Sequence, residues 1–159
     1  MKKLILKNNF ISILKTLLFS IFIFCILMGV FFYLSSDFEL MSYFIVIFII
    51  FDFPAWYLFI TYFFKTLGSE IHIRENRLII IDKYKNKVIY EMSDIEYIEF
   101  FKSKSEIALH PAMNYSYIKI SLKNKKCIYI TCLMTNNLDT IIERLNTKYS
   151  IRYGLSFLK

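Results

Sequence analysis

Glycine, proline and histidine are scarce in this chain, at three, two and two residues. So few glycines leave no Gly-rich loop to cradle a phosphate, and no nucleophile elbow of the G-x-S-x-G type occurs. The same scarcity of glycine and proline argues against a disordered or low-complexity tail. The three cysteines, Cys25, Cys127 and Cys132, form no C-x-x-C pair, and His72 and His110 stand alone. Neither a metal site nor a disulfide framework is supported, and no cofactor motif is present. No Ser/His/Asp or Cys/His set occurs, so the expectation is a protein that is not an enzyme. Acidic residues are in deficit, 13 against 20 Lys and Arg, for a formal charge of +7. What the chain has in excess is apolar surface: 57% of its residues are hydrophobic and 19% aromatic.

That excess is concentrated in two runs before Lys65. Thr16–Leu34 carries no charge, and Leu40–Phe64 carries one, Asp52. A helix needs roughly 20 apolar residues to cross about 30 Å of hydrocarbon, so both runs suffice as spans, drawn at about 12–34 and 40–64. A cleaved signal peptide is the competing reading of the first run. That run is longer than a signal core, and Phe31-Phe32-Tyr33-Leu34 stands where a small-x-small cleavage site belongs. Residues 1–67 therefore read as a basic segment with a two-helix transmembrane hairpin, and 68–159 as one small domain.

Lys2, Lys3, Lys7 and Lys15 precede the first run and Lys65 follows the second, whereas the connecting loop holds Asp37 and Glu39 and no base. The positive-inside rule then puts both termini in the cytoplasm of a multi-pass protein of the cell (inner or plasma) membrane. A basic domain so tethered faces an anionic leaflet, where each nearby base contributes about 1 kcal/mol. The expected partners are the lipid bilayer, anionic lipid headgroups, and a protein or second copy of the chain. Nucleic acid is not expected, since no helix-turn-helix or base-stacking motif accompanies the basic charge.

Beyond Lys65 the pattern changes period. Glu70–Arg74 alternates polar and apolar, Leu78–Ile81 is a β-branched run, and Val88–Met92, Ser93–Phe101, Tyr115–Leu122 and Cys127–Cys132 follow as further strands. Polar turns separate them. Leu138, Ile141, Ile142, Leu145 and Tyr149 then fall at helical spacing behind Asn136 or Asn137 as N-cap. The fold class is a membrane α-helical hairpin plus an α+β unit of antiparallel strands closed by one C-terminal helix.

This order, with Glu70–Ile81, the Met92-Ser93-Asp94-Ile95-Glu96-Tyr97-Ile98 step, Tyr115–Thr131 and Leu138–Leu145, resembles the bacterial PH-like membrane proteins, including the YcxB-like type. The resemblance lies in pattern and order, not in an invariant motif. It implies a pleckstrin-homology-type barrel capped by a helix. In eukaryotic PH domains basic residues of the first hairpin bind phosphoinositides. Read onto this chain as the Glu70–Ile81 hairpin, that turn offers Arg74 and Arg77 around Glu75, a poor match.

Candidate binding residues are few. Asp52 lies near the middle of the second run, two residues before Pro54, where an ionised carboxylate is costly and usually faces a partner or water. Its candidate partners are Ser20, Thr61 or a second copy; a locally satisfied helix break beside Pro54 is the plainer account. Lys83, Lys85 and Lys87 form one basic turn, Lys123, Lys125 and Lys126 another, and Lys102 with Lys104 a third group. These suit anionic headgroups or a cytosolic partner, or are simply solvated turns. Glu91, Asp94, Glu96 and Glu99 have no histidine beside them and read as an exposed strand face. The expected function is a non-enzymatic, membrane-anchored PH-like module binding a protein or lipid at the cytoplasmic face. The alternatives are an immunity protein that neutralises a toxin by binding it, and an accessory subunit of a membrane transporter.

Overall fold

The first strand comes before the apolar helices, not after them. In the computed structural model, which describes residues 4–34, 38–74, 76–102, 112, 115–135, 137–145 and 148–154, Leu4–Lys7 is a strand, β1. It is followed by helices α1 (Phe10–Leu34) and α2 (Phe38–Thr66), then by β2 (Glu70–Arg74), β3 (Arg77–Ile81) and β4 (Lys87–Glu91). After one 3-10 turn at Met92–Asp94 come β5 (Ile95–Lys102), β6 (Tyr117–Leu122), β7 (Cys127–Thr131), α3 (Asp139–Leu145) and β8 (Tyr149–Tyr153). Two four-stranded sheets result, in the orders β1-β2-β3-β4 and β7-β6-β5-β8. Every neighbouring pair is antiparallel except β5 with β8.

β1 lies antiparallel to β2, with Leu4 opposite Ile73 and Lys7 opposite Glu70. The segment expected to be only a basic lead-in to the first helix is thus the edge strand of the first sheet. Its Leu6 is 2% exposed and belongs to the main core. The helical hairpin is therefore an insertion in the connection between β1 and β2.

Local chemistry fixes each end of that insertion. Asn9 begins α1, its Oδ1 accepting the Ile11 N–H at 3.0 Å, as an N-cap side chain does. At the other end Gly68 has φ +71, the left-handed conformation that stops a helix, and Ser69 N–H donates to the Thr66 carbonyl. Thr66 Oγ1 lies 2.8 Å from the Tyr62 carbonyl and 2.7 Å from the Asn8 amide. A hydroxyl has one proton, which goes to the carbonyl, so the Asn8 NH2 group, otherwise buried without an acceptor, is best turned to donate to Thr66. The two ends of the hairpin are thereby tied together. Higher up, Phe24 meets Phe48 and Phe31 meets Phe44, with ring centroids 4.7 Å and 4.9 Å apart.

Both helices leave large apolar side chains uncovered along their length, from Ile11 (66%) and Phe22 (63%) on α1 to Ile50 (68%) and Phe64 (69%) on α2. Among the described residues Ser42–Thr66 is long and apolar enough, by length and composition, to cross a membrane; Ile21–Tyr33 is a shorter apolar stretch. Pro54 does not break α2, which runs through it.

The main core fills the space between the sheets with Ile71, Ile73, Leu78, Ile98, Phe100, Ile118, Ile120 and Ile130, and α3 closes it with Ile141, Ile142 and Leu145. Asn137 Oδ1 accepts the Thr140 N–H at 3.2 Å, so Asn137 serves the start of α3 as expected; Asn136 lies outside the described residues. The helix is shorter than its apolar period suggested. Tyr149, read as its last turn, instead opens β8, which adds to the second sheet alongside β5. The Asp94-Ile95 step also has a local cause. Asp94 Oδ2 accepts the Glu91 N–H at 2.9 Å in a capping box, and Ile95 and Ile98 enter the core across a register shift. That shift turns Glu96 outward.

Because Lys7 and Glu70 face each other, a two-residue turn should replace the hairpin. Joining Lys7 to Glu70 through Asn-Gly, a type I′ hairpin signal, is expected to give a folded chain. Fragment 68–159, which lacks β1, should be less stable in urea by at least about 2 kcal/mol, the burial worth of one leucine. Equal stability of the two would mean that β1 adds nothing to the sheet.

Candidate functional site

The root of the hairpin gathers one of the two lysine turns and not the other. Pairing places Lys7, Glu70, Ile81 and Lys87 in one row at the hairpin end of the first sheet. The β3–β4 turn, with Lys83 and Lys85, closes that same end. A side chain on Gly68 would come within 3.0 Å of Lys83 Cβ, so this turn packs against the foot of α2. Asp82 builds the turn. Its carboxylate accepts the Tyr84 and Asn86 N–H groups and the Asn86 side-chain amide, at 2.8–2.9 Å. The Asn86 side chain first, against an opposing cost of burial, holds this carboxyl below the usual 3.8. Its help to the turn is therefore present above that pH and fades as pH falls through the lowered value. Lys85 takes φ +67, and Lys83, Tyr84, Lys85 and Lys87 are all exposed, Lys83 Nζ sitting 4.9 Å from the Tyr84 ring centre.

Lys123, Lys125 and Lys126 are equally exposed but elsewhere. Lys123 N–H donates to the Asp94 carbonyl at 3.0 Å, beyond the opposite end of β4, about 17 Å along a five-residue strand. The first connection of the sheet is the helical hairpin itself, so the Arg74/Arg77 turn is the second connection and not the phosphoinositide-type loop it was compared with. Of the third group, Lys102 Nζ lies 3.5 Å from Asp139 Oδ1 on α3, and Lys104 is outside the described residues.

Asp52 lies next to a second feature, the contact of α2 with the second sheet. Ala55, Leu58 and Tyr62 recur at helical spacing and are each at most 3% exposed, packed on Ala112, Tyr115, Tyr117 and Leu133. The Tyr62 ring meets Tyr115 and Tyr117 edge-on, at 5.6 Å and 5.8 Å. Asp52 lies one turn above Ala55 and is 2% exposed. Burial first, then the nearby Cys132 and Asp52, hold the Tyr115 hydroxyl well above the ordinary tyrosine range. Of the partners expected for Asp52, Thr61 Oγ1 donates to the Tyr57 carbonyl at 2.7 Å, and the Ser20 side chain lies outside the described residues.

Glu99 departs from its expected exposure. It does point away from the main core, but it is 4% exposed. Lys119, directly opposite on β6, comes within 3.6 Å, and Arg152 on β8 within 2.6 Å. Arg152 also sits over the Phe101 ring, and Lys65, in the last turn of α2, places Nζ 4.9 Å from the Tyr129 ring centre. Tyr129 is the cross-strand neighbour of Lys119. Lys65, Tyr129, Lys119, Glu99 and Arg152 therefore form one row across the outer face of the second sheet. Among the described residues no group of three His, Cys, Asp or Glu could hold a metal ion.

Cys132 packs against both the main core and the Tyr62 cluster, and burial pushes its thiol from 9.0 up to about 11. Cys127 is exposed. Two pH units correspond to about a hundredfold less thiolate, the reactive species. At pH 8 iodoacetamide should label the exposed Cys127 at least about tenfold faster than the covered Cys132, by peptide mass spectrometry. Tyr62→Ala should narrow that gap by loosening α2 from the sheet. Equal rates in the wild-type chain would mean that α2 does not cover Cys132.

Comparison with curated proteins, and with solved structures, finds no match. A family model described as PH domain matches residues 2–142, from before β1 into α3, so the helical hairpin lies within the matched region. PH domains are in general binding modules for lipids or proteins and not catalysts. Four strands, three more strands, a short helix and a last strand are what this chain builds around its core, and the match covers most of its length. The chain belongs to the PH domain family.

Proposed function

We propose that this protein is a membrane-anchored PH-type binding module of the YcxB-like kind, held in the bilayer by the α1–α2 hairpin with its domain on the cytoplasmic side. One observation carries the proposal: the connection between the first two strands is a pair of helices whose apolar side chains are uncovered along their length. Water does not favour such a surface, and patches of this extent mark contact with membrane or protein. The lysines lie at the foot of the helices, with Lys7, Lys15 and Lys65 near the root and Lys83, Lys85 and Lys87 on the adjoining turn. That distribution suits an anionic leaflet lying against the root. The exposed lysine turn then meets the headgroups.

The topology tests this directly. In a chain whose three native cysteines are serine, Ser36→Cys should react with a membrane-impermeant maleimide on intact cells, whereas Lys159→Cys should react only after the membrane is opened. Labelling of Lys159→Cys from outside would reverse the orientation. Removal of the whole chain from membranes by alkaline carbonate would end the anchoring proposal.

A further inference from the structure

We infer that the outer edge of β4 takes an extended strand from a partner protein, paired antiparallel. That strand carries a basic residue opposite Glu91, a β-branched residue opposite Ile89 and an acidic residue opposite Lys87. This rests on the reading of the domain as a binding module and not on its anchoring in the bilayer.

β4 ends the order β1-β2-β3-β4, so among the described residues no strand pairs with its outer side. The bonds that bracket the β3–β4 ladder set which backbone groups of β4 face that way. Asp82 N–H donates to the Asn86 carbonyl and Met92 N–H to the Asn76 carbonyl, each at 3.0 Å. Alternation along an antiparallel ladder then makes Ile80–Val88 and Leu78–Tyr90 the hydrogen-bonded pairs. Lys87, Ile89 and Glu91 therefore turn their N–H and C=O groups away from β3. The Glu91 N–H meets the Asp94 carboxylate at 2.9 Å, an acceptor seated on this edge from within the chain. Lys87 and Ile89 present theirs outward, which is how a sheet edge binds an extended segment.

The side chains say which segment. Val88, 44% exposed, and Ile89, 49% exposed, lie on opposite faces, so a paired strand covers apolar surface on both sides. The strand has no proline and pairs with β3 in unbroken register, so nothing blunts the middle of its edge. Charge runs one way along it. Exposed Lys87, behind Lys83 and Lys85, stands at one end and exposed Glu91 at the other. Antiparallel pairing is the mode of every neighbour in this sheet. In that mode the partner residue opposite Glu91 comes first in its sequence and the one opposite Lys87 comes last. A base, a β-branched residue and an acid at alternate positions thus set opposite charges across both ends. The reverse order sets like charges together, which destabilises cross-strand pairs.

The test uses the full chain in an uncharged maltoside detergent and fluorescein-labelled peptides, with binding followed by fluorescence polarisation. The probe is the peptide Thr-Lys-Thr-Val-Thr-Glu-Thr, and it should bind. The peptide Thr-Glu-Thr-Val-Thr-Lys-Thr, of the same composition with its charges exchanged, should bind at least about fivefold more weakly. N-methylation of the valine removes the N–H aimed at the Ile89 carbonyl and should weaken the probe at least about tenfold. N-methylation of the preceding threonine, whose N–H points away from β4, should leave it unchanged. Ile89→Lys should abolish binding. Lys87→Glu should weaken the probe about fivefold, and a peptide with lysine in place of its glutamate should restore affinity for that variant. Circular dichroism separates lost binding from lost folding, and if Ile89→Lys does not fold, the charge exchange at Lys87 decides. No binding of the probe, equal or tighter binding of the exchanged peptide, or equal loss from both N-methyl peptides would each overturn the proposal. So would a dimer, seen by cross-linking without peptide and lost in Ile89→Lys, because a second copy would then hold the edge. Carbonate extraction of membranes keeps the two readings apart. A chain that stays in the membrane yet binds no probe refutes the edge site alone, whereas a chain that washes out yet binds it refutes only the anchoring.

Discussion

The rest of the molecule depends on the antiparallel pairing of β1 with β2 around an intervening helical hairpin. Four residues, Leu4–Lys7, meet their partners across an insertion of 62 residues, Asn8 to Ser69. Closing so long a loop carries an entropic cost that grows only slowly with length. Here the two antiparallel helices bring their own ends together, so the strands start near one another. The Thr66–Asn8 contact and the Gly68 stop then set the ends at strand spacing. In return the pairing fixes where the helices leave the sheet.

A second attachment makes the hairpin part of the domain. Along α2, Ala55, Leu58 and Tyr62 fill an aromatic cluster on the outer face of the second sheet, while the inner face of that sheet makes the main core. β6 is consequently covered on both faces and buried at almost every position. Cys132 touches both clusters and so lies where helix and core meet. Movement of the hairpin relative to the sheet has to disturb aromatic packing at Tyr62 and strand pairing at Lys7 together. This links whatever surrounds the helices to the basic surfaces of the domain.

Much of this was legible because the strands carry strong period-2 patterns. Glu70–Arg74, Leu78–Ile81 and Tyr115–Leu122 each fall within a residue or two of an observed strand, since β-branched alternation reports a half-buried sheet. β1 was not legible. Leu4–Lys7 has too few residues to show a period, and its one lysine, Lys7, carries an equally good orientation signal. β8 was hidden because Tyr149 falls on the helical period set by Leu138, Ile141, Ile142 and Leu145, while the chain leaves the helix at Leu145. For Glu99 the alternation gave the correct face. It could not tell that Lys119 and Arg152 cover that face, because cross-strand register is set by pairing far apart in sequence. Asp52 was conspicuous as a lone charge in an apolar run, but the Tyr115 hydroxyl that its charge helps to hold high is 63 residues away and no local pattern connects them.

The most direct test of the account is a cross-link across the strands that bracket the hairpin. Ile5 and His72 are paired Cα partners on one face of β1 and β2, at the spacing of about 4.5–5.5 Å that a disulfide accepts. The full-length Ile5→Cys/His72→Cys chain, mildly oxidised, should form an intramolecular bridge identifiable by peptide mass spectrometry. Ile5→Cys/Ile71→Cys, whose second residue points to the opposite face, should not. Absence of the first bridge, or bridges only between chains, would mean that the hairpin is not enclosed by the sheet and would remove the basis for the remaining structure.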